Sequence, residues 1–543
     1  MSKKIIVGDF SGIQGYLYNI QKNKSATKRL KGRSAFIEIL LEKVKVDLKN
    51  ALGNCDDYII SGGKFIIICN DFNQDRFDIF KKDLELKLLN QFYGELKIIF
   101  GVSIYDENDF KNSLNKAFED LEKHKNKAFS SIFIENGKWN SDKFVFNDDR
   151  GTESVCKFSR GDLIKVKKGF DSYIDDILDE EGLGGIGQNT ANDIIISNFI
   201  AGNRGNQKIK IFDKDEEISK YLKLNNEIKY LPKDGEKIKS FEDIAGEGNF
   251  NKLACLKGDI DNLGKLFMFG LNENNYKENY KLLSEKLDNF WNKKLYEIIG
   301  NKEIYKDIYI VYAGGDDFLI LGKWDVIIDF YKDLQNKFKE FTNNDEIQSL
   351  LKEKQNITFC GAINLFGQHD TFFTVVKQTD ELLSKAKDGD KNSLNIFGKV
   401  IGNDDFGKLF DEINKFEKEF NLYDKEKNII STGTLRFLLD ISKKIILDEK
   451  KGLDENGNEK DYFEYGLWKA ELFYMLGRNY TTKNGTDLKD DFRSYINGMI
   501  LHNEAQKFGS LSGNNDLFGD KTSKEDAEKL FVMMSYVLYK LRS

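Results

Sequence analysis

The chain has 543 residues, of which 40% are hydrophobic and 32% charged, so it has enough apolar side chains to build several cores. Its net charge of −7 excludes a protein that coats nucleic acid with its whole surface. The three histidines (His124, His369 and His502) are far apart in sequence, which excludes the common histidine motifs. The five cysteines have no CxxC spacing, which excludes the common zinc motifs and favours reduced thiols over a disulfide framework.

The first 104 residues carry the pattern of a βαββαβ unit. The segment KKIIVGDFSGIQG predicts a strand that ends at Gly8-Asp9. Two strands rich in β-branched residues are then joined at the turn Gly62-Gly63. The predicted elements are a helix over about 33–48, the two strands at 57–60 and 64–69, a helix over about 75–91 and the strand LKIIFGVSI.

The same order of elements recurs in residues 252–397. KLACLKGDIDNLG predicts a strand that ends at Gly258-Asp259, and IYIVYAGGDDFLILG predicts two strands joined at Gly314-Gly315. Helices are predicted over 279–299, about 325–341 and about 371–387, with the strand NITFCGAINLF before the last of them. Strand-Gly-Asp and Gly-Gly turns occur singly in many α/β proteins, but the shared order and spacing favour a duplicated ferredoxin-like unit, the arrangement of polymerase palms.

The sequence therefore predicts an α+β protein with four parts. A first palm occupies 1–135 and a second palm 251–400, with a mixed middle domain inserted at 136–250. The last part, 401–543, predicts a helical bundle with a polar loop over 446–460. No apolar run approaches the roughly 18 residues of a membrane span and the start lacks a secretory apolar region, so we expect a cytoplasmic protein without a membrane partner.

Carboxylates concentrate at two strand ends of the second palm. Asp259 and Asp261 follow one strand, and Asp316-Asp317 follow the Gly-Gly turn. These strand ends are neighbours in a palm, so the carboxylates would repel one another unless divalent cations neutralise them. Oxygen ligands without histidine favour two Mg²⁺ or Mn²⁺ ions, which suit attack of a ribose hydroxyl on a phosphate. A chance GGDD in an exposed turn is the alternative, but the flanking apolar strands and the upstream DIDNLG favour a metal site.

Two lysines follow the last helix of the second palm. Lys387 and Lys391 precede the short strand LNIF, a place from which ammonium groups can reach the β- and γ-phosphates of a nucleotide. Lysines at a helix C-terminus also complement the helix dipole, which is the structural alternative.

The first palm has lost most of the acidic pattern. Asp9 is retained, but Ser11 stands where the second palm has Asp261, and Lys64-Phe65 is aligned with the Asp pair. The first palm is thus predicted to hold a nucleotide through SGGKF without collecting metal ions.

On these motifs the chain resembles the large subunit of type III CRISPR–Cas effector complexes, the polymerase/cyclase-like family of the Csm and Cmr systems. The resemblance covers residues 1–400 well and the remainder loosely. It rests on GDFSGIQGYLYNI, LKGRSAFIEILLE, SGGKFIII, KNKAFSSIF, LKGDIDNLG, YAGGDDFLILG and AKDGDKNSLNIFG, with a weaker match at FYMLGRNY. GGDD alone also resembles GGDEF-type cyclases.

The resemblance implies synthesis of cyclic oligoadenylate messengers from ATP once the guide RNA of the complex has captured a target RNA. It implies the other subunits of a type III effector complex as partners, with guide and target RNA contacted through them. The resemblance assigns catalysis and metal binding to Asp259, Asp316 and Asp317. It assigns contact with the donor nucleotide to Gly314, Gly315, Lys387 and Lys391, and nucleotide binding to Asn262. The acceptor side is assigned to Ser61, Gly62 and Gly63.

Two features depart from the family pattern. Many members begin with an HD nuclease domain that cuts single-stranded DNA, whereas here the first palm starts at residue 4 and the histidine motif is missing, so we expect no DNase activity. Many members also carry a four-cysteine zinc site between the palms, where this chain has only Cys156. The middle domain is therefore expected to be held by packing alone.

The sequence favours a target-RNA-activated nucleotidyltransferase. A 3′-hydroxyl held by the first palm would attack the α-phosphate of ATP on the second and release pyrophosphate. A different acceptor is S-adenosylmethionine, which some relatives without the HD domain join to AMP. Two competing hypotheses are a non-catalytic scaffold that clamps RNA and a stand-alone GGDEF-like cyclase. The retained Asp316-Asp317 argues against the scaffold, and two palms in one chain argue against the cyclase.

Overall fold

The computed structural model describes both palm regions almost completely and the C-terminal region in part. Most of the predicted middle domain lies outside the described residues. Those residues are 2–18, 26–61, 63–92, 94–135, 138–139, 145–147, 154–156, 232–234, 237–248, 250–424, 426, 428, 430–453, 459–463, 466–480, 488–505 and 524–543.

The first palm is a four-stranded antiparallel sheet with the strand order β2-β3-β1-β4, which is the order of a ferredoxin-like unit. Each predicted strand and helix is present, and the helix predicted at 33–48 is longer at both ends. The elements are β1 (Ser2–Ser11), α1 (Ile13–Tyr18), α2 (Ala26–Leu52), β2 (Cys55–Ser61), β3 (Lys64–Phe72), α3 (Gln74–Phe92), β4 (Lys97–Ile104), α4 (Phe110–Lys125) and α5 (Ser130–Phe133).

Among the described residues between the two palms there are three short antiparallel strand pairs. They are β5 (Ile134–Glu135) with β6 (Lys138–Trp139), β7 (Val145–Asn147) with β8 (Ser154–Cys156), and β9 (Lys233–Asp234) with β10 (Lys237–Ile238). The helix α6 (Phe241–Ala245) begins at a capping box, in which the side chains of Ser240 and Asp243 each accept from the other's backbone N–H.

The second palm repeats the order of elements, as the sequence predicts. The helix predicted over 279–299 is interrupted by a π-helical turn at Phe290–Lys294. The short helix that follows the first strand continues into a second π-helical turn at Leu266–Gly270. The elements are β11 (Lys252–Ile260), α7 (Leu263–Lys265), α8 (Tyr276–Asn289), α9 (Leu295–Gly300), a 3-10 turn at Glu303–Tyr305, β12 (Tyr309–Gly314), β13 (Asp317–Lys323), α10 (Trp324–Thr342), α11 (Asp345–Gln348), β14 (Phe359–Gly367), α12 (Phe372–Lys387), β15 (Ser393–Ile396) and β16 (Lys399–Gly402).

The chain divides into two compact units. The first holds the first palm together with β12, β13 and nearly all of β11, which lie in the order β12-β13-β11 and so match β2-β3-β1 of the first palm. The second contains β14-β15-β16, in which β15 is parallel to β14 and antiparallel to β16. The first unit comprises 1–246, 253–358 and 366–378, and the second 247–252, 359–365 and 379–543. A mixed α/β fold is confirmed.

One hydrophobic core joins the two palms within the first unit. It takes side chains from the sheets of both copies and from α2 and α3 between them. Burial of this much apolar surface makes separation of the palms costly, at roughly 25 cal/mol for each Å² that would be exposed. Its fully buried members include Ile6, Leu40, Leu48, Phe65, Ile67, Leu88, Leu253, Cys255, Tyr309, Leu319 and Leu321.

The duplication extends to single residues. In the first palm Gly8 lies opposite Phe65 and Asp9 opposite Lys64. In the second palm Gly258 lies opposite Phe318 in the same way. A Cβ at Gly8 or Gly258 would lie 2.4 or 2.2 Å from the facing phenyl ring, so both copies need glycine there to let the ring lie flat across the strand.

The helical pattern predicted after residue 400 is confirmed, but the polar loop predicted over 446–460 is wrong. Two antiparallel strands, β17 (Glu449–Leu453) and β18 (Glu459–Phe463), stand there instead. The helices of this region are α13 (Asn403–Glu419), α14 (Thr432–Asp448), α15 (Leu467–Asn479), α16 (Leu488–Ala505) and α17 (Lys524–Lys540).

The expectation of reduced thiols is wrong for one pair of cysteines. Cys55 and Cys69 face each other across β2 and β3 and form a disulfide. Sequence spacing could not reveal this pair, because the two residues meet only through strand pairing. Cys255 and Cys360 are buried and take no part in a disulfide. Among the described residues, no helix has both the length and the apolar character needed to cross a bilayer.

The glycine–phenylalanine contact predicts the effect of a single methyl group. Gly258→Ala places a Cβ against the Phe318 ring, so we expect a loss of ~1–3 kcal/mol in unfolding free energy from overpacking. Urea denaturation followed by tryptophan fluorescence measures it. Gly264→Ala is the matched control, because nothing lies within 4 Å of a Cβ at that position. Equal stability of the two variants would contradict the packing argument.

Candidate active site

The acidic residues of the second palm meet at one end of its sheet. Asp259 near the end of β11 is the direct cross-strand neighbour of Asp317, the first residue of β13. The Ile260 N–H donates to the carbonyl of Asp316 over 2.7 Å and ties the strand end to the hairpin turn. The prediction that these strand ends adjoin is therefore correct, and antiparallel pairing brings Asp259 and Asp317 together.

The hairpin turn that carries Asp316 is supported from behind. Gly315 has a φ of 65°, a left-handed conformation that glycine adopts without strain. Its carbonyl accepts a 3.2 Å hydrogen bond from Nε1 of Trp291, which lies in the π-helical turn and is fully buried. Asp316 itself is exposed. The turn is thus fixed by a buried indole while its carboxylate faces solvent.

Asp317 lies in an environment that disfavours its charge. Partial burial, together with the negative charges of Asp316 and Asp259, raises the pKa of Asp317 to about 6. The Tyr312 hydroxyl and the Lys257 ammonium act in the opposite direction but do not cancel the effect. Nε2 of Gln14, from the first palm, donates to Oδ2 of Asp317 over 3.0 Å. This carboxylate would gain from a bound cation.

Asp261 is held apart from that group by its own partners. Its Oδ2 accepts from Oγ1 of Thr358 over 2.7 Å, and its N–H donates to the Thr358 carbonyl over 2.8 Å. The next residue, Asn262, has a φ of 55° and begins the short helix α7. The structure therefore places Asn262 at the turn directly after the acidic strand end.

The donor atoms fit a divalent cation between two strands. Facing carboxylates with a raised pKa are hard oxygen ligands, and Mg²⁺ or Mn²⁺ prefers such ligands. In the part of the chain that the structure describes, no three His, Cys, Asp or Glu side chains form a ready ligand set. The residues that would hold a cation here are Asp259 and Asp317, with Asp316 as the nearby third carboxylate.

In the first palm, the residue equivalent to Asp317 is one position away from the one that the sequence alignment predicts. The strand register places Lys64 opposite Asp9, so Lys64 is equivalent to Asp317 and Gly63 to Asp316. The Phe10 N–H bonds to the Gly63 carbonyl over 3.0 Å, as Ile260 does to Asp316. The alignment of Lys64-Phe65 with the Asp pair was therefore wrong by one position, because the strand register makes Ser61, and not Gly62, the equivalent of Gly314.

Asp9 keeps an acidic group on the first palm. It is buried, and this burial raises the pKa of its carboxyl while Lys64 and Lys125 act to lower it. The charge of Asp316 also raises the pKa of Asp9, which places the two palms' strand ends within electrostatic reach of each other.

The remaining predicted site residues are distributed between the two units. Gly314 pairs with Asp317, and Ser61 pairs with Lys64 at the equivalent point of the first palm. Gly62 lies outside the described residues. Lys387 ends α12 and Lys391 has a φ of 61°, and both belong to the second unit.

Three side chains near the carboxylates were not predicted from the sequence. Gln14, Lys257 and Tyr312 each interact with Asp317 or with a neighbour of it. The SGIQG segment was visible as a motif, but its contact with the second palm spans 303 residues and depends on the docking of two domains.

Comparison with protein families matches two parts of the chain. Residues 252–395 match the second palm domain of the Cas10/Cmr2 family, and residues 3–144 match domain B of the Csm1 subunit.

Two relatives are named CRISPR system single-strand-specific deoxyribonuclease Cas10/Csm1 of subtype III-A. The protein of Methanocaldococcus jannaschii is 25% identical over 62% of this chain and 51% of its own length. The protein of Streptococcus thermophilus is 24% identical over 72% of this chain and 53% of its own length. The chain thus spans about half the length of these relatives. The resemblance to the type III CRISPR large subunit is confirmed.

Solved structures share the fold. The Csm1–Csm4 subcomplex of the type III-A Csm interference complex aligns with a TM-score of 0.61 and 16% identity over 100% of this chain and 70% of the other. The Csm1–Csm4 cassette in complex with cA4 aligns with a TM-score of 0.59 and 16% identity over 100% of this chain and 70% of the other. The cassette in complex with one ATP aligns with the same TM-score and identity over 98% of this chain and 70% of the other.

The raised pKa of Asp317 predicts a stability effect with a definite sign. Above pH 6 the folded protein holds a carboxylate that burial disfavours, so Asp317→Asn should stabilise the metal-free protein by ~1–3 kcal/mol at pH 8. The gain should shrink as the pH falls through about 6 and vanish only below the ordinary aspartate pKa of 3.8, where Asp317 is protonated in both the folded and unfolded states.

Urea denaturation in EDTA across that pH range measures this effect. Asp56→Asn on β2 is the matched control, since Asp56 is an exposed carboxylate that is not among the charges acting on Asp317. A pH-independent difference, or an equal gain in the control, would contradict the electrostatic argument.

Proposed function

From the relationship of both palms to those of Cas10/Csm1 proteins, we propose that this chain is the nucleotidyl-transferring large subunit of a type III CRISPR effector complex. It makes cyclic oligoadenylates from ATP when guide RNA in the complex has paired with a target RNA. The observation that carries the proposal is the cross-strand pair Asp259–Asp317, with Asp316 in the adjoining turn. Clustered carboxylates at a sheet end are costly in a protein that only binds RNA.

The second palm holds the donor ATP. Divalent cations bound by Asp259 and Asp317 supply charge neutralisation at the α-phosphate and activation of the attacking hydroxyl. The Gly314-Gly315 turn lets the triphosphate approach the backbone, because nothing lies within 4 Å of a Cβ at Gly314. Asn262, at the turn after the acidic strand, lies where it can contact the nucleotide.

The first palm holds the acceptor. Lys64 stands where the second palm has Asp317, so this palm presents an ammonium in place of a metal-binding carboxylate. Together with the backbone of Ser61, Gly62 and Gly63 it suits the phosphates of a second nucleotide. The 3′-oxygen of that nucleotide forms a bond to the α-phosphorus of the donor, the α–β bond breaks and pyrophosphate leaves.

The resemblance to the type III large subunits assigns two further residues to the donor nucleotide. Lys387 and Lys391 flank the end of α12, and we assign their ammonium groups to the β- and γ-phosphates of ATP. Pyrophosphate is the leaving group, so positive charge at these phosphates favours its departure.

The similar structures support the nature of substrate and partners. Csm1–Csm4 cassettes bind ATP and cA4, and the Csm1–Csm4 pair belongs to a type III-A interference complex. The proposal extends these ligands and this kind of partner to the present chain, with guide and target RNA reached through the complex. The names of the relatives also include single-strand-specific deoxyribonuclease activity, which we do not assign to this chain.

The decisive experiment uses the assembled complex. It is incubated with labelled ATP and Mg²⁺, with and without target RNA, and with and without S-adenosylmethionine, and the products are identified by mass. Cyclic oligoadenylate that appears only with target RNA is the expected result. An adduct of AMP with S-adenosylmethionine would change the acceptor, and a complex that binds RNA but makes no nucleotide product would be a scaffold.

Removal of the carboxylates tests the assignment of the site. Asp316→Ala combined with Asp317→Ala should reduce product at least 1,000-fold, because the charge on the phosphate then lacks its cation. Asp56→Ala, an exposed carboxylate change on β2 of the first palm, serves as the control and should retain activity. Size-exclusion profiles check assembly, and activity in the double variant would move the site elsewhere.

A further inference from the structure

The SGIQG motif of the first palm reaches into the active site of the second. Gln14 lies on α1, the short helix that follows β1. Its Nε2 donates to Oδ2 of Asp317 over 3.0 Å, and its Oε1 accepts from Nζ of Lys257 over 3.4 Å. One amide thus contacts both a carboxylate and an ammonium of the other palm.

The turn before α1 determines the position of the Gln14 side chain. Gly12 has a φ of 92°, and a Cβ there would lie 2.0 Å from the carbonyl oxygen of Glu95. Only glycine fits such a turn without strain. The turn starts α1 immediately after the strand end, so Gln14 projects from the same end of the first palm that carries Asp9.

Lys257 contacts two side chains of the same helix, α1. It is buried on β11, two residues before Asp259, and its Nζ lies 5.6 Å from the centre of the Tyr18 ring. Gln14 and Tyr18 are four residues apart and therefore share one face of α1. The amide and the ring hold the ammonium near Asp317, whose charge it partly offsets.

The second palm has no equivalent of Gln14. By the strand register, Gly12 corresponds to Asn262, which is also left-handed, and Gln14 corresponds to Gly264. Nothing lies within 4 Å of a Cβ at Gly264. The palm that carries the catalytic carboxylates therefore receives its amide from the other palm, while the space near its own α7 stays open.

We propose that Gln14 is a positioning residue for Asp317, so that the active site is completed by a side chain of the first palm. The amide fixes one carboxylate oxygen by a hydrogen bond and so sets the orientation in which the carboxylate would meet a divalent cation. Partners of this kind orient metal ligands, and their loss commonly costs 10–100-fold in metal affinity or activity. The cation itself belongs to the proposed function, on which this inference rests.

The test compares Gln14→Met with Gln74→Met. Methionine keeps the length of the side chain but removes both hydrogen bonds. Gln74 is an exposed glutamine at the start of α3 whose amide donates to Asp78 over 2.9 Å, so it is a matched loss of an amide–carboxylate bond away from the site. Mn²⁺ binding to each purified protein is measured by electron paramagnetic resonance, without any requirement for activity.

We expect Gln14→Met to weaken Mn²⁺ binding about 10-fold and Gln74→Met to leave it within about twofold of the wild type. In the assembled complex, Gln14→Met should lower kcat ~10–100-fold with the KM for ATP within about threefold, since the residue orients a ligand and does not bind the nucleotide. Mn²⁺ affinity of Gln14→Met equal to that of the control would overturn the proposal.

A second measurement separates this proposal from the proposed function. In metal-free protein, a double-mutant cycle joins Gln14→Met with Asp317→Ala, and urea denaturation should show that the effects on the unfolding equilibrium deviate from additivity by about fivefold. Additive effects would overturn the Gln14 contact. A wild type that binds no Mn²⁺ would instead contradict the proposed metal site, and the cycle would then decide the Gln14 contact alone.

Discussion

The cross-strand pairing of Asp259 with Asp317 is the constraint on which the site depends. Antiparallel register sets two carboxylates side by side at a partly buried sheet end, and the turn adds a third at Asp316. Neither strand can shift to relieve the repulsion, because Gly258 and Phe318 interlock one residue further along. The pair therefore carries an electrostatic cost, which a bound divalent cation would lower.

The two palms share the same local frame at the sheet ends that carry Asp9 and Asp259. Both palms keep the glycine–phenylalanine contact, the left-handed residue after the strand and the backbone bond from strand end to turn. They differ in the side chains placed on that frame, with Lys64 in one copy and Asp317 in the other. One scaffold thus offers an ammonium surface and a carboxylate surface, and a shared core holds both in one unit.

The sequence was sufficient for features that repeat locally. Apolar runs and Gly-Asp turns located β1 to β4 of the first palm and β11 to β15 of the second, but not β16, and the motif order indicated the family. It was insufficient where long-range pairing decides the outcome. The alignment of Lys64 was wrong by one residue, since the register of a strand depends on its pairing partner. The Cys55–Cys69 disulfide joins residues that only the folded sheet brings together. The Gln14–Asp317 hydrogen bond joins residues that only the docked palms bring together. The 449–463 hairpin was missed because its strands lack apolar alternation.

The most direct test is diffraction from the assembled complex with Mn²⁺ and a non-hydrolysable ATP analogue, recorded at the manganese absorption edge. An anomalous peak bonded to oxygens of both Asp259 and Asp317, beside the α-phosphate of the analogue, is the predicted result. A bound analogue whose manganese lies away from this pair, or touches only one of the two carboxylates, would contradict it.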